Sequence, residues 1–203
     1  MRSSNTSKIR SEKIVLIGAP SSGKSSIANR IINGTFAPNQ EATIGAAFNS
    51  KITKVDDTDI KLDIWDTGGS EKYRSLVPMY FRDARAAIVV FDTTNEQSFV
   101  EARDWIAEFR ERGMPNALIF GAANKIDLVE SRKVSTEKIK EFAENHGFAF
   151  MIETSALNGV GVNELFTEIA RQLLSIKTEK DNIQTSGDID LEETTPQQKS
   201  CGC

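Results

Sequence analysis

The strongest constraint on the fold comes from one short segment, Gly18-Ala19-Pro20-Ser21-Ser22-Gly23-Lys24-Ser25, which matches the pattern G-x-x-x-x-G-K-[ST]. The apolar run 14–17 precedes it and helical periodicity over 25–32 follows it, so strand, loop and helix come in that order. A glycine-rich loop that opens a helix directs backbone N–H groups inward. There Lys24 adds a positive charge, and the hydroxyl of Ser25 can bind Mg²⁺. The segment predicts a phosphate-binding loop for a nucleoside triphosphate, with a tight glycine-rich turn as the simpler alternative.

Strand-like apolar runs alternate with helical periodicity along the middle of the chain. Strands are predicted at 13–17, 46–55, 60–65, 86–91, 117–121 and 149–152. Helices are predicted at 24–33, near 71–82, and at 97–111, 136–146 and 161–175. The short connection 56–59 leaves no room for a crossover helix, so the second and third strands should form an antiparallel hairpin. The alternation predicts a three-layer α/β/α fold around a mostly parallel six-stranded sheet, with ligands at the carboxyl ends of its strands.

Composition limits the classes of protein to which this chain can belong. Its 203 residues are 39% hydrophobic and 27% charged, which suits one globular domain over 13–175, and no apolar run reaches the ~18 residues of a membrane span. The net charge is −4 and the tail is acidic, so a nucleic-acid partner is not expected. We expect disorder in a leader, 1–12, and in the polar tail 176–203. Both cysteines lie in the last three residues, so the domain should lack disulfides and suits the reducing cytoplasm.

Three further motifs follow predicted strands. Asp66-Thr67-Gly68-Gly69 can contribute an acid to a Mg²⁺ shell and a glycine N–H to a γ-phosphate, although an Asp-Gly turn is the commoner explanation of an isolated match. Asn124-Lys125-Ile126-Asp127 follows the fifth strand and Thr154-Ser155-Ala156 the sixth. The carboxylate of Asp127 can accept both the N1–H and the N2–H₂ of guanine, and adenine cannot make this pair of contacts. The stem of Lys125 can lie over the same base, so guanine is the expected nucleobase.

The order and spacing of these motifs make residues 13–174 similar to the Ras superfamily of small GTPases. Three segments, 43–48, 61–67 and 76–82, are similar to the Rab branch, which works in membrane traffic, and the runs IGAAF and PMY resemble its early-endosomal subgroup. The resemblance implies a P-loop GTPase domain that cycles between GTP and GDP with Mg²⁺. It also implies a monomer that recruits effectors in the GTP state, on the cytosolic face of endosomal or other vesicle membranes.

The resemblance assigns roles to residues of the phosphate loop, the guanine motifs and two switch segments, 35–48 and 66–82. The implied nucleotide-binding residues are Pro20, Ser21, Ser22, Gly23, Lys24, Ser25, Ser26, Phe36, Thr43, Gly69, Asn124, Lys125, Asp127, Ser155, Ala156 and Leu157. Ser25, Thr43 and, through water, Asp66 would hold Mg²⁺, while Lys24 and Thr43 act at the γ-phosphate. Phe48, Trp65 and Tyr80 would form an aromatic triad read by effectors, with ordinary core packing as the alternative. An exchange factor, a GTPase-activating protein and a prenyl-binding escort of the GDI type are the other implied partners.

The chain departs from the family pattern at the residue after D-x-x-G. The family usually has a glutamine there that orients the attacking water, whereas this chain has Ser70, whose hydroxyl falls roughly 2–3 Å short of a glutamine amide. Misplacement of this size can cost on the order of 10²-fold in rate, so slow intrinsic hydrolysis is expected. Pro20, Gly68, Asp83 and Leu157 also differ from common family residues. Ser70 and Pro20 permit an alternative function, a GTP-loaded interaction module that hardly turns over, while the guanine motif disfavours a P-loop kinase.

The chain ends in Cys201-Gly202-Cys203, which looks like the C-x-C ending on which Rab proteins receive two geranylgeranyl groups. One lipid chain gives marginal membrane binding and stable attachment takes two signals. The acidic tail supplies no polybasic signal, so both Cys201 and Cys203 should be needed. Two free terminal thiols are the alternative interpretation.

Overall fold

The computed structural model describes residues 9–69 and 76–176. Within these residues, six strands form one sheet: β1 (Arg10–Ile17), β2 (Ala46–Val55), β3 (Thr58–Thr67), β4 (Ala86–Asp92), β5 (Leu118–Asn124) and β6 (Phe150–Glu153). The helices of the same part of the chain are α1 (Lys24–Asn33), α2 (Val77–Phe81), α3 (Glu96–Arg112), α4 (Thr136–Asn145) and α5 (Val162–Ser175). A 3₁₀ turn, Val129–Ser131, lies between β5 and α4.

The strand order in the sheet is β2-β3-β1-β4-β5-β6. β2 runs antiparallel to β3, with Ala46 opposite Thr67 and Val55 opposite Thr58, and the other neighbouring strands are parallel. A two-residue connection joins β2 and β3 into a hairpin. In this turn Asp56 adopts a left-handed backbone with a φ of 52°, as such tight turns require. The predicted α/β fold, with its hairpin and one antiparallel edge strand, is confirmed.

Each face of the sheet carries its own hydrophobic core. On one face, α1 and α5 pack against the strands through residues such as Ile27, Leu165 and Phe166. On the other face, α3 and α4 contribute Phe109 and Phe142. Every residue of β4 is buried, which explains its continuous apolar run. Because helices cover both faces, the carboxyl edge of the sheet is left to its loops, where ligands bind in folds of this class.

The structure differs from the predicted element bounds most clearly at β1. The strand begins at Arg10, so residues 10–12 of the predicted leader belong to the sheet. Glu12 is only 6% exposed because it pairs with Arg10, 2.6 Å from Nε to Oε1, and with Arg85, 3.6 Å away. Because these residues are charged, the start of β1 lacks the apolar pattern from which the strand was predicted. The remaining leader, residues 1–8, and the tail beyond Ile176 lie outside the described residues.

Several other elements also run beyond their predicted ends. β5 continues to Asn124, three residues further than predicted, and β4 continues to Asp92. Helix α2 begins at Val77, within the segment predicted near 71–82, whose first residues lie outside the described part. Among the described helices, none combines the length and apolar character needed to cross a bilayer.

Candidate functional site

The loop between β1 and α1 lies at the carboxyl edge of the sheet and surrounds the ammonium group of Lys24. This side chain is 5% exposed, and its Nζ donates to the carbonyl oxygens of Gly18 at 2.9 Å and Ala19 at 2.8 Å. Burial lowers the pKa of Lys24 to about 8, although the negative charge of Asp66 opposes this effect. A buried ammonium in a loop that opens a helix can bind an anion such as phosphate.

Two glycines allow the surrounding segments to approach this loop closely. Gly23 has a φ of 101°, and a Cβ at this position would lie 2.1 Å from Asn124 Nδ2. A Cβ on Gly69 would lie 2.6 Å from Lys24 Nζ and 2.7 Å from the backbone nitrogen of Pro20. Side chains at these positions would push the loop away from its neighbours. The glycines therefore bring the end of β5 and the segment after β3 into contact with the phosphate loop.

Asn124, at the end of β5, is buried and joins three segments. Its Nδ2 donates to the carbonyl oxygen of Ser22 at 3.0 Å. Its Oδ1 accepts from Thr154 Oγ1 and from the backbone N–H of Ala156, both at 3.2 Å. This one amide thus fixes the phosphate loop relative to the loop after β6.

Two charged side chains of the motif 124–127, Lys125 and Asp127, lie at the end of the site where the base is expected. Ser155 Oγ donates to Asp127 Oδ1 at 2.5 Å, which orients the carboxylate. Lys125 has a φ of 69°, and its Nζ lies 2.7 Å from Oδ2 of Asp92, a buried residue at the end of β4. A carboxylate held in this way can accept two N–H groups from the edge of a guanine, with the lysine stem beside the base.

Three side chains with oxygen atoms meet beside the phosphate loop. Ser25 Oγ lies 2.8 Å from Thr43 Oγ1, which in turn donates to Asp66 Oδ2 at 3.2 Å. Asp66 Oδ1 is buried and has no hydrogen-bond partner among the described residues. Burial raises the pKa of Asp66, while the hydrogen bond from Ser25 and the charge of Lys24 oppose this rise. Hydroxyl and carboxylate oxygens suit Mg²⁺, so these residues fit the predicted metal site.

A cavity of about 700 Å³ lies among these groups and is lined by Lys24, Thr43 and Asp127, among others. Its wall includes every predicted nucleotide-binding residue except Ser22 and Ser155, which are fully buried behind it. Phe36 lines the cavity and packs its other side against the core. The predicted site residues Ser70, Cys201 and Cys203 lie outside the described part of the chain. The volume and the few convergent polar groups are typical of a pocket for a small ligand.

Comparison with protein families agrees with this geometry, because the family model described as Ras family matches residues 13–175. The chain belongs to the Ras family. It is 49% identical over 167 residues to the Ras-related protein Rab5A of Oryza sativa subsp. japonica, a match that covers 82% of each chain. It is 48% identical to the Ras-related protein Rab-5A of Dictyostelium discoideum, over 83% of this chain and 84% of that protein. It is also 48% identical to the Ras-related protein RABF2b of Arabidopsis thaliana, over 79% and 80%.

Membership of the Ras family defines the chemistry of the chain. Ras-family proteins bind GTP and GDP together with Mg²⁺ and hydrolyse GTP to GDP, so the chain is a GTPase. The similarity to Rab5-type proteins confirms the predicted resemblance to the early-endosomal Rab subgroup. The P-loop GTPase fold predicted from the motifs is likewise confirmed.

The aromatic residues that the family resemblance assigns to effectors lie side by side. The ring centre of Trp65 is 5.5 Å from that of Phe48 on the neighbouring strand and 6.0 Å from that of Tyr80 on α2. Phe48 is 54% exposed, which does not suit a core residue. Lys13 Nζ lies 4.7 Å from the ring centre of Trp65 and donates to the carbonyl oxygen of Arg82 at 2.7 Å. Lys13 thereby connects the aromatic cluster to the end of α2.

A backbone contact joins the two predicted switch segments. The N–H of Gly68, just after β3, donates to the carbonyl oxygen of Gly45, just before β2, at 2.8 Å. Gly45 has a φ of 71°, and a Cβ there would lie 3.2 Å from the hydroxyl of Tyr80. The junction therefore places both segments in direct contact, with the hydroxyl of Tyr80 close to Gly45.

Sequence reasoning missed several residues of the site, among them Asp92, Thr67 and Leu128. Asp92 pairs with Lys125, while Thr67 and Leu128 line the cavity. A signal for Asp92 exists, because the polar run 92–94 ends a buried strand at the edge where ligands bind. Leu128 directly follows the guanine motif, and this adjacency was the available signal.

Proposed function

We propose that the chain is a GTP/GDP switch in endosomal membrane traffic and that the described cavity holds its guanine nucleotide. The observation that carries the proposal is the convergence of the phosphate loop and both guanine motifs on one cavity, through the hydrogen bonds of Asn124. The guanine would lie between Phe36 and the stem of Lys125, with Asp127 on its hydrogen-bonding edge. Its phosphates would extend toward Lys24.

The residues around Lys24 would perform the phosphate chemistry. Backbone N–H groups of the loop and the ammonium of Lys24 hold the β- and γ-phosphates. Ser25 and Thr43 would bind Mg²⁺ directly and Asp66 through water, and the metal would neutralise charge on the phosphate oxygens. Thr43 also offers its N–H to the γ-phosphate. Loss of that phosphate would release Thr43 and, with it, both switch segments.

The state of the switch would be read at the aromatic cluster of Phe48, Trp65 and Tyr80. Phe48 lies at the start of β2 and Tyr80 on α2, so each belongs to one of the two switch segments. Effectors that require both rings in place would bind the GTP state. A group of aromatic residues in which Phe48 is exposed and Trp65 and Tyr80 are partly buried is typical of an interface core.

Ser70 would make intrinsic hydrolysis slow, because no glutamine amide is available at this position to orient the attacking water. A GTPase-activating protein that supplies an arginine and a glutamine in trans would still allow stimulated turnover. The switch would then depend on its regulator more strongly than a protein with the usual glutamine does.

The test is a single-turnover measurement of GTP hydrolysis by the purified protein with Mg²⁺ and without a regulator. Ser70→Gln should raise the rate by about 10-fold or more, because it restores a group that reaches the water. Ser75→Gln is the matched control, since it introduces the same side chain five residues further on, and it should leave the rate unchanged. A Ser70→Gln rate equal to that of the parent would refute the role of Ser70. Parent protein that purifies loaded with GTP would favour the non-hydrolysing interaction module.

The proposed cycle needs the partners that Rab proteins generally use. An exchange factor would load GTP, a GTPase-activating protein would end the signal, and a GDI-type escort would carry the prenylated protein between membranes. Geranylgeranyl groups on Cys201 and Cys203 would attach it to the cytosolic face of endosomal membranes, with the tail 176–203 as the connection. The similarity to Rab5-type proteins supports this location.

A further inference from the structure

We propose that Arg30, a residue outside the phosphate loop and outside both guanine motifs, positions the residues that bind the guanine base. Arg30 lies near the end of α1, and its guanidinium group contacts the backbone of two separate segments that flank the base end of the cavity. The inference rests on the proposed placement of guanine beside Asp127. It concerns how tightly the base is held, since Arg30 itself does not line the cavity.

The contacts of Arg30 use all three nitrogen atoms of its guanidinium group. Nε donates to the carbonyl oxygen of Ala156 at 2.9 Å, and Nη2 donates to that of Leu157. Nη1 donates to the carbonyl oxygen of Gly34 at 2.6 Å. A planar group with donors in a fixed fork suits three carbonyl acceptors in different directions. One side chain therefore ties the loop after β6 to the chain that leaves α1.

Each of the two segments carries a base contact of the proposed function. Ala156 and Leu157 directly follow Ser155, whose hydroxyl orients the carboxylate of Asp127. Gly34 comes two residues before Phe36, which lines the cavity where the base would pack. A shift of either segment would move a group that contacts guanine. Arg30 thus controls the distance between the two sides of the base site.

The surroundings of Arg30 are built to keep it in place. Gly34 has a left-handed backbone with a φ of 70°, and its N–H donates to the carbonyl oxygen of Arg30, so that residues 30 and 34 bond to each other twice. On the other side, a Cβ on Gly159 would lie 3.6 Å from Arg30 Cδ, so the loop after β6 runs close beside the arginine stem. Contact on both sides restricts the rotamers that the arginine can adopt.

Arg30 also connects the base end of the site to the phosphate end. Helix α1 begins with Lys24 and Ser25 at the phosphate loop and contains Arg30 in its last turn. A helix is stiff over this length of about two turns. The same helix therefore holds phosphate-binding residues at one end and the base-binding loop, through Arg30, at the other.

The experiment compares dissociation of GDP and IDP from the full-length protein with Mg²⁺ present, for the parent, Arg30→Met and Arg30→Lys. IDP lacks the N2 amine that Asp127 would accept, so the ratio of its dissociation rate to that of GDP measures the guanine contact. Arg30→Met should release GDP about tenfold faster, as the loss of roughly one hydrogen bond would produce, and should bring the two rates closer together. Arg30→Lys should resemble Arg30→Met, because one ammonium cannot span both segments.

Two controls separate positioning from general damage. Arg171→Met removes an exposed arginine that pairs with Glu168 on the same helix, and it should match the parent in both rates. Removing Mg²⁺ with a chelator should accelerate GDP release by the same factor in the parent and in Arg30→Met, because the metal site is untouched. Faster release with an unchanged IDP-to-GDP ratio would overturn the proposal, and so would an Arg30→Lys variant that behaves like the parent. A parent protein that does not discriminate GDP from IDP would instead refute the proposed placement of guanine.

Discussion

A single carboxylate at the end of β4 controls the lysine that faces the proposed base. Asp92 Oδ2 contacts Lys125 Nζ at 2.7 Å, while Oδ1 accepts from the N–H of Thr94 at 2.8 Å and from its hydroxyl at 2.7 Å. These hydrogen bonds hold the carboxylate in one orientation. The backbone of Lys125 is in the left-handed region, which costs of the order of 1 kcal/mol for a residue other than glycine. The ion pair with Asp92 helps to offset this strain.

Replacing Asp92 with asparagine should loosen the base site without unfolding the protein. Asparagine has the same shape and can still accept from Thr94, but it removes the charge that holds Lys125 in position. We expect GDP to dissociate about 3- to 10-fold faster, measured by displacement of a fluorescent analogue, because charge-assisted hydrogen bonds are about twice as strong as neutral ones. Asp104→Asn on the exposed side of α3 is the matched control. A rate equal to that of the parent would mean that Asp92 does not position Lys125.

The sequence could predict residues that belong to motifs, but it could not predict the residues that support them. Lys24, Asn124 and Asp127 occur in short sequence motifs, and the roles of these motifs can be predicted without a structure. Asp92 acts through Lys125, which lies 33 positions further along the chain, and Arg30 acts through Ala156, which lies 126 positions further along. Neither Asp92 nor Arg30 belongs to a sequence motif. Partners so distant in the chain become visible only when the strands and helices are assembled.

At the scale of elements, an ion pair joins the end of β6 to the segment that leads into α4. Arg132 Nη1 donates to Glu153 Oε2 at 3.1 Å, Nη2 contacts Oε1, and Thr136 Oγ1 donates to Oε1 at 2.8 Å. The hydrogen bonds from Arg132 lower the pKa of Glu153 below its ordinary value of 4.5. Glu153 immediately precedes the loop that contains Ser155, so this pair braces the base site from outside.

The lowered pKa of Glu153 predicts how stability depends on pH. A carboxyl group that is more acidic in the folded state stabilises the fold above its unfolded pKa, and the contribution is lost as pH falls through the folded value. Glu153→Gln should therefore lower the free energy of unfolding at about pH 7 and pH 6 by equal amounts, and by less below about pH 4. Urea unfolding at each pH measures this difference. Glu141→Gln on the exposed face of α4 is the control, and an effect of Glu153→Gln that stays constant down to about pH 3 would contradict the assignment.

Element bounds were predictable where local chemistry marks them. Helix α1 begins and ends as predicted because Gly23 and Gly34, both with left-handed backbones, flank it. The extra residues of β1 depend on burial of Glu12 against Arg85, a partner that lies 73 residues away. The end of β5 could not be read from apolar residues, since Asn124 is polar and yet lies in the strand. Local signals thus locate helix ends better than the polar ends of strands.

At the scale of the whole molecule, membrane attachment is proposed to depend on the far end of the chain. Replacing Cys203 with serine would leave one lipid chain, which gives only marginal and reversible binding. The acidic tail adds no attraction to anionic lipids. We therefore expect most of the Cys203→Ser protein in the soluble fraction of eukaryotic cells that prenylate it. Ser200→Ala is the control with the cysteines intact, and membrane association of Cys203→Ser equal to that of the parent would refute the need for two lipids.

The hydrogen bond between Gly45 and Gly68 makes the positions of the two switch segments depend on each other. The bond forms only when the segment before β2 and the segment after β3 are both in place, and the loss of either position breaks it for both. A partner bound across the neighbouring ring of Tyr80 would therefore detect the coincidence of two events rather than either one alone. Such a junction would couple the two segments, because neither could move away without breaking the hydrogen bond that it shares with the other.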